Sequence, residues 1–280
     1  MGSYYYLMAG LPDLSIDDCK SGPSLLELKE ELSETLSYQD KQLIFYFFLK
    51  YDCNNLVELL KNAEAPIDLK GNYRMEQYTD MMVSAREMNF NVHRYPSFMS
   101  EFAREYKYNK DSDGFFPEDA MALRYFEYAM KCPNKMMASW FRLNFDITNV
   151  LTAMIARKNG WNVSNYVLGD GEVSEMLRNN NTRDFGLSVE YDYVNELMKI
   201  VDCEDPVEKE KKIDAFKWLW LDEQTFSDVF SIEAVFAYLA KLEILERWSK
   251  LDVEQGREQF RTIIENLRNE AQVPEEFKNQ

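Results

Sequence analysis

The sequence predicts an all-α protein. Its 280 residues include only 10 Gly and 8 Pro, too few for a turn-rich sandwich or barrel. Leu, Glu, Lys and Met, which lose little freedom on entering a helix, are abundant. Apolar residues return every three or four positions over most of the chain. With 46% hydrophobic residues, the chain has enough apolar surface for one large core or several smaller ones.

The elements follow in order. Three consecutive tyrosines, Tyr4 to Tyr6, with Leu7 and Met8 read as a short extended segment ended by Gly10 and Pro12. Helical spacing begins at Leu25 and runs to Leu36, and Gln39 to Leu60 forms a longer, very aromatic helix that must be mostly buried. Further helices are expected over Met75 to Met88, Pro96 to Tyr106, Pro117 to Met130, Met136 to Asn159, Val189 to Val201, Val207 to Leu221 and Ser231 to Asn269. Polar and proline-containing breaks at Ala65 to Asn72, Asn109 to Gly114, Asn179 to Asp184 and Asp202 to Pro206 separate them.

Charge and composition narrow the function. A formal net charge of −17 and a pI near 4.6 repel phosphate backbones and anionic headgroups, so no nucleic-acid partner is expected. The longest strongly apolar run, Leu43 to Leu49, is far short of the about 20 residues that cross a bilayer, so no direct membrane insertion is expected. The start of the chain lacks the basic and continuous apolar regions of a signal peptide, and Tyr6 stands where a myristoylation motif needs Ser or Thr. A cytoplasmic protein is the expectation. Cys19, Cys53, Cys132 and Cys203 form no CxxC pair, which fits reduced, structural thiols.

Catalytic and cofactor motifs are missing. There is no GxxxxGK[ST] phosphate loop, GxGxxG turn, HExxH helix or GxSxG elbow, so neither a cofactor nor enzymatic activity is expected. The single histidine, His93, is followed by Arg94 and reads as structural. Asn109, Asp111, Asp113 and Gly114 match the first half of a calcium loop, but Ala120 stands where the bidentate glutamate belongs. Pro117, Glu118 and Asp119 instead suit the first turn of a helix, where proline needs no N–H and acids favour the dipole.

The most informative feature is a weak internal repeat: KYDCNNLVELL at Lys50 to Leu60, NFDITNVLTAMIAR at Asn144 to Arg157 and KLEILERWSKL at Lys241 to Leu251. Asp52, Asp146 and Glu243 fall at nearly even intervals, and each is followed three residues later by a polar side chain, Asn55, Asn149 or Glu246. Three related modules are therefore expected, spanning approximately 1–110, 111–205 and 206–280. Asp and Asn three apart also suit the capping or bracing of packed helices.

These segments resemble the C subunit of V/A-type ATPases, the d subunit of eukaryotic V-ATPases. That family carries aromatic-Asp-x-x-Asn-hydrophobic helices and a late Tyr-Leu-x-x-x-Glu helix, matched here at Tyr238 to Glu243 within Phe230 to Trp248. The resemblance spans Leu43 to about Ile264, while Glu246 and Arg247 depart from its usual Asn-like polar turn, as expected of a divergent relative. The N-terminal YYYLMAGLPDLSIDD also resembles a family of uncharacterised proteins encoded with bacterial V-type ATPase subunits. The resemblance implies a funnel-like bundle of three modules. It further implies a non-catalytic central-stalk subunit that joins the stalk subunits to the membrane rotor ring and meets the inner membrane only through the complex.

Two other classes stay open on the residues alone. A helical scaffold or adaptor of another assembly needs only wide packed surfaces. An enzyme using paired carboxylates needs a pocket in which they converge.

Overall fold

The computed structural model describes residues 3–16, 22–87 and 94–249. Among the described residues the protein is all-helical, with eleven α-helices, one 3₁₀ turn and no strand. The helices are α1 (Ser3–Gly10), α2 (Leu25–Thr35), α3 (Tyr38–Lys61), α4 (Met75–Glu87), α5 (Ser97–Asn109), α6 (Pro117–Ala129), α7 (Lys135–Lys158), α8 (Glu172–Asn179), α9 (Tyr193–Val201), α10 (Pro206–Thr225) and α11 (Ile232–Ser249). The 3₁₀ turn is Val163–Asn165. His93, Cys19 and the stretch expected to prolong the last helix to Asn269 lie outside the described residues.

The chain divides into two compact units. Unit 2, Lys29–Leu187, is built on the two 24-residue helices α3 and α7. Both begin at a polar cap: Ser37 accepts a hydrogen bond from the Asp40 N–H, and Asn134 from the Met137 N–H. Helix α3 packs against α5 and α6, α4 against α5, and α7 against α6 and α8. Phe47, Phe48, Leu56, Met81 and Phe102 are almost wholly buried in its core. At roughly 1.5–3 kcal/mol for each large apolar side chain removed from water, this aromatic core is the main stabilising term of the unit.

Unit 1 comprises residues 1–28 and 188–280, and its described core joins residues that precede α2 to α10 and α11. Helix α10 packs against both α9 and α11. It starts at Asp205, whose carboxylate accepts from the Val207 N–H while Pro206 fills the first helical position. Trp218 of α10 meets Ile244 and Leu245 of α11, with Leu14, Ile16 and Trp248 packed against them.

Several elements differ from the sequence reading. Tyr4 to Met8 is helical rather than extended, because α1 buries Leu7 and sets Tyr5 against Phe230 in a tilted pair with ring centroids 4.9 Å apart. Tertiary packing overrides the strand preference of three aromatic residues in a row. The helix expected from Val189 begins only at Tyr193, and α8, which was not anticipated, is a two-turn helix at Glu172–Asn179. The boundary expected at 110/111 lies between α5 and α6 inside unit 2, and that at 205/206 is the start of α10 inside unit 1.

Candidate functional site

Asp52 and Asn55 lie on successive turns of one face of α3 and are both buried. Their partners come from the chain that returns along the helix. Asn55 accepts a hydrogen bond from the Asp68 N–H (2.7 Å) and donates to the Asp68 carbonyl (2.9 Å), so a single amide holds both polar groups of one backbone residue. Asp52 accepts from the Tyr73 N–H (2.9 Å), the Asn72 side chain (2.7 Å) and the Tyr78 hydroxyl (2.7 Å). Lys29 crosses the far side of the same loop and donates to the carbonyls of Leu69, Lys70 and Gly71.

This knot leaves no room for a side chain at position 71. A Cβ there would stand 2.7 Å from Asp52 Oδ1 and 2.9 Å from the Tyr78 hydroxyl. Burial pushes the Asp52 carboxyl above the usual carboxylate range, against the pull of its hydrogen bonds, and pushes the Lys29 ammonium down. A carboxylate with 0% of its surface exposed and three donors upon it is sealed from any substrate. What it does chemically is brace a loop.

The same bond pair recurs on α7. Asn149 accepts from the Leu168 N–H (2.8 Å) and donates to the Leu168 carbonyl (3.0 Å). Here too a hydroxyl from the first turn of the next helix joins the cluster: Ser174 of α8 is 3.3 Å from the Asn149 amide nitrogen, as Tyr78 of α4 is 3.0 Å from that of Asn55. Asp146, one turn earlier, is buried in its turn. Arg178 adds a hydrogen bond to the Val167 carbonyl (2.7 Å).

The third segment is built differently. Glu243 is only half-buried on α11. Glu246, three residues on, accepts from the Leu25 N–H at the start of α2, where Ser24 and Glu27 also form a reciprocal cap. Among the described residues the buried acid of this unit is Asp214 on α10, which accepts from the Trp248 indole (2.7 Å) and the Arg247 guanidinium. Sequence reasoning missed it. Its signal was spacing, since Asp214 lies four and seven residues before Trp218 and Leu221, on the apolar face of its helix.

Tyr238, the remaining motif residue, opens onto a surface. Its hydroxyl donates to the Pro12 carbonyl (3.0 Å), and its ring lines a groove of about 1080 Å³ within unit 1. Met8, Leu14, Leu219, Ala234 and Ala237 line the apolar part. Asp13, Asp222, Glu223 and Lys241 supply its charges, with Lys241 bridged to Asp222 at 2.6 Å. Phe226 and Val229, also in the lining, are 87% and 53% exposed.

The half-matched calcium loop is a turn that opens a helix: Asp111 and Asp113 are exposed, Gly114 adopts φ +82°, and Pro117 starts α6 with Glu118 and Asp119 in its first turn. Among the described residues no group of three or more His, Cys, Asp or Glu could hold a metal ion, and no helix is long and apolar enough to cross a membrane.

A family model described as a protein of unknown function, DUF2764, matches residues 1–271. No curated protein and no solved structure matches the chain.

Proposed function

The chain belongs to the DUF2764 family of proteins of unknown function, and from the construction of its helices we propose that it is a non-catalytic central-stalk coupling subunit of a V/A-type rotary ATPase. In this role it links the rotor shaft to the membrane ring, stays on the cytoplasmic side, and meets the inner membrane only through the complex. The observation that carries the reading is the repeated brace: on two 24-residue helices, an aromatic-Asp-x-x-Asn segment turns its Asn onto both polar groups of a returning loop residue. These are the residues through which the chain resembles that subunit family. Their use as internal braces suits a body that transmits torque, because packed helices with fixed loops deform little under load. The buried acids serve hydrogen bonds rather than chemistry.

Deletion in the native host tests the proposal. Membranes lacking the protein are expected to lose ATP-driven ion pumping while the detached head still hydrolyses ATP. Unchanged pumping, or a purified native complex without ATPase subunits, overturns it. The second reading, an adaptor of another helical assembly, is favoured by the open apolar groove on unit 1, which needs only a helix-bearing partner.

A further inference from the structure

The groove of unit 1 combines three properties that point to one occupant. Its floor is apolar and closely packed: Ala234, Ala237 and Tyr238 are each less than 10% exposed, and small residues at 234 and 237 leave a shallow channel along α11. Its rim carries large apolar side chains in water. Phe226, Val229 and Phe230 lie within five residues of one another and are 87%, 53% and 38% exposed, and Tyr5 of α1, 53% exposed, meets the Phe230 ring at a tilt. Contiguous exposed apolar surface of this kind marks an interaction site more often than a lone exposed side chain does. Its charge, finally, is one-sided, because the lining holds three carboxylates against one ammonium, and that ammonium is already paired with Asp222.

We propose that this groove receives an amphipathic helix of another protein, with its apolar stripe on α11 and a flank of Lys or Arg facing Asp13 and Glu223. A helix with its side chains is about 10–12 Å across and presents apolar groups at i, i+3, i+4 and i+7, which suits an apolar channel with one aromatic wall. Phe226 is the anchor that gains most from burial. The rim acids select a basic flank, speed the encounter with it and repel an acidic one. The same field, in a chain of net charge −17, disfavours an anionic lipid surface and a second copy of this protein. The inference does not rest on the coupling role, since any assembly can supply such a helix.

Photo-crosslinking in the native host tests it. The full chain with p-benzoylphenylalanine at position 226 is irradiated in cells, and the joined segment is identified by mass spectrometry. The expected product is a segment of a different protein with apolar residues at helical spacing and at least two Lys or Arg on one flank. Glu223→Lys is expected to lower the crosslink about tenfold and Glu223→Gln about threefold, with the thermal melting curve unchanged because Glu223 is exposed. A product with lipid, with a second copy, with another part of this chain or with an acidic segment overturns the proposal, as does the absence of any product. A basic helix from a protein outside the ATPase supports the groove while counting against the coupling role, so the two readings fail separately.

Discussion

Asn55 and Asn149 hold backbone in the same way: each side-chain amide accepts one N–H and donates to the carbonyl of the same loop residue, Asp68 for Asn55 and Leu168 for Asn149. A loop residue fixed at both polar groups has neither left to exchange with water, so the loop is held against its helix without a strand ladder.

Removing either amide should therefore destabilise unit 2. Asn55→Ala and Asn149→Ala each delete three hydrogen bonds, two to loop backbone and one to a hydroxyl, and are expected to cost about 1–3 kcal/mol. The two braces grip different loops, at Asp68 and at Leu168, so the double variant should lose close to the sum of the two. Chemical denaturation followed by circular dichroism measures this, and a loss below about 0.5 kcal/mol at either site would contradict the bracing role.

Position 71 gives a sharper contrast. Gly71→Ala places a methyl group 2.7 Å from Asp52 Oδ1 and 3.0 Å from the Asn55 amide nitrogen, and the knot must open to admit it. Gly114→Ala meets nothing within 4 Å and suffers only the strain of φ +82°, about 1 kcal/mol. The melting temperature should fall several degrees further for Gly71→Ala than for Gly114→Ala. Equal shifts would mean that the loop moves freely away from Asp52.

Asp52 also carries a pH signature. Burial raises its folded-state pKa above the ordinary aspartate value of 3.8, so the folded protein binds this proton more tightly than the unfolded chain does. Its favourable protonation contribution is complete below 3.8 and is lost as pH rises through the raised folded value. Asp52→Asn removes this dependence. The stability of the wild type relative to Asp52→Asn should accordingly improve as pH falls from neutral towards 3.8, as thermal scans of both proteins at matched ionic strength would show. A difference that shrinks on acidification would reverse the sign argued here.

Calcium should leave the protein unchanged. The turn from Asn109 to Gly114 has two exposed aspartates but Ala120 in place of the closing glutamate, and a helix begins at Pro117 within the span that a calcium loop would need. Millimolar calcium or EDTA is expected to shift the melting temperature by less than about 1 °C, whereas a site of micromolar affinity would raise it by several degrees.

Much of this protein was legible in its residues. The all-α class and the two long helices follow from local rules, since helical periodicity acts within four residues. The internal repeat also marks Asp52, Asn55, Asp146 and Asn149, all four of which are buried.

What they grip was decided by tertiary structure alone. Nothing local to Asn149 marks Leu168 as its partner, because backbone groups carry no sequence signature and the intervening loop sets which residue arrives. The third segment diverged for the same reason. Glu243 shares the spacing of Asp52 and Asp146 but is only half-buried, while Asp214 on a neighbouring helix is buried. Burial depends on which helix face meets which, a relation between distant parts of the chain. The start of the chain shows it most plainly: Tyr4 to Met8, extended by local preference, becomes a helix where Leu7 is buried and Tyr5 meets Phe230, more than two hundred residues away.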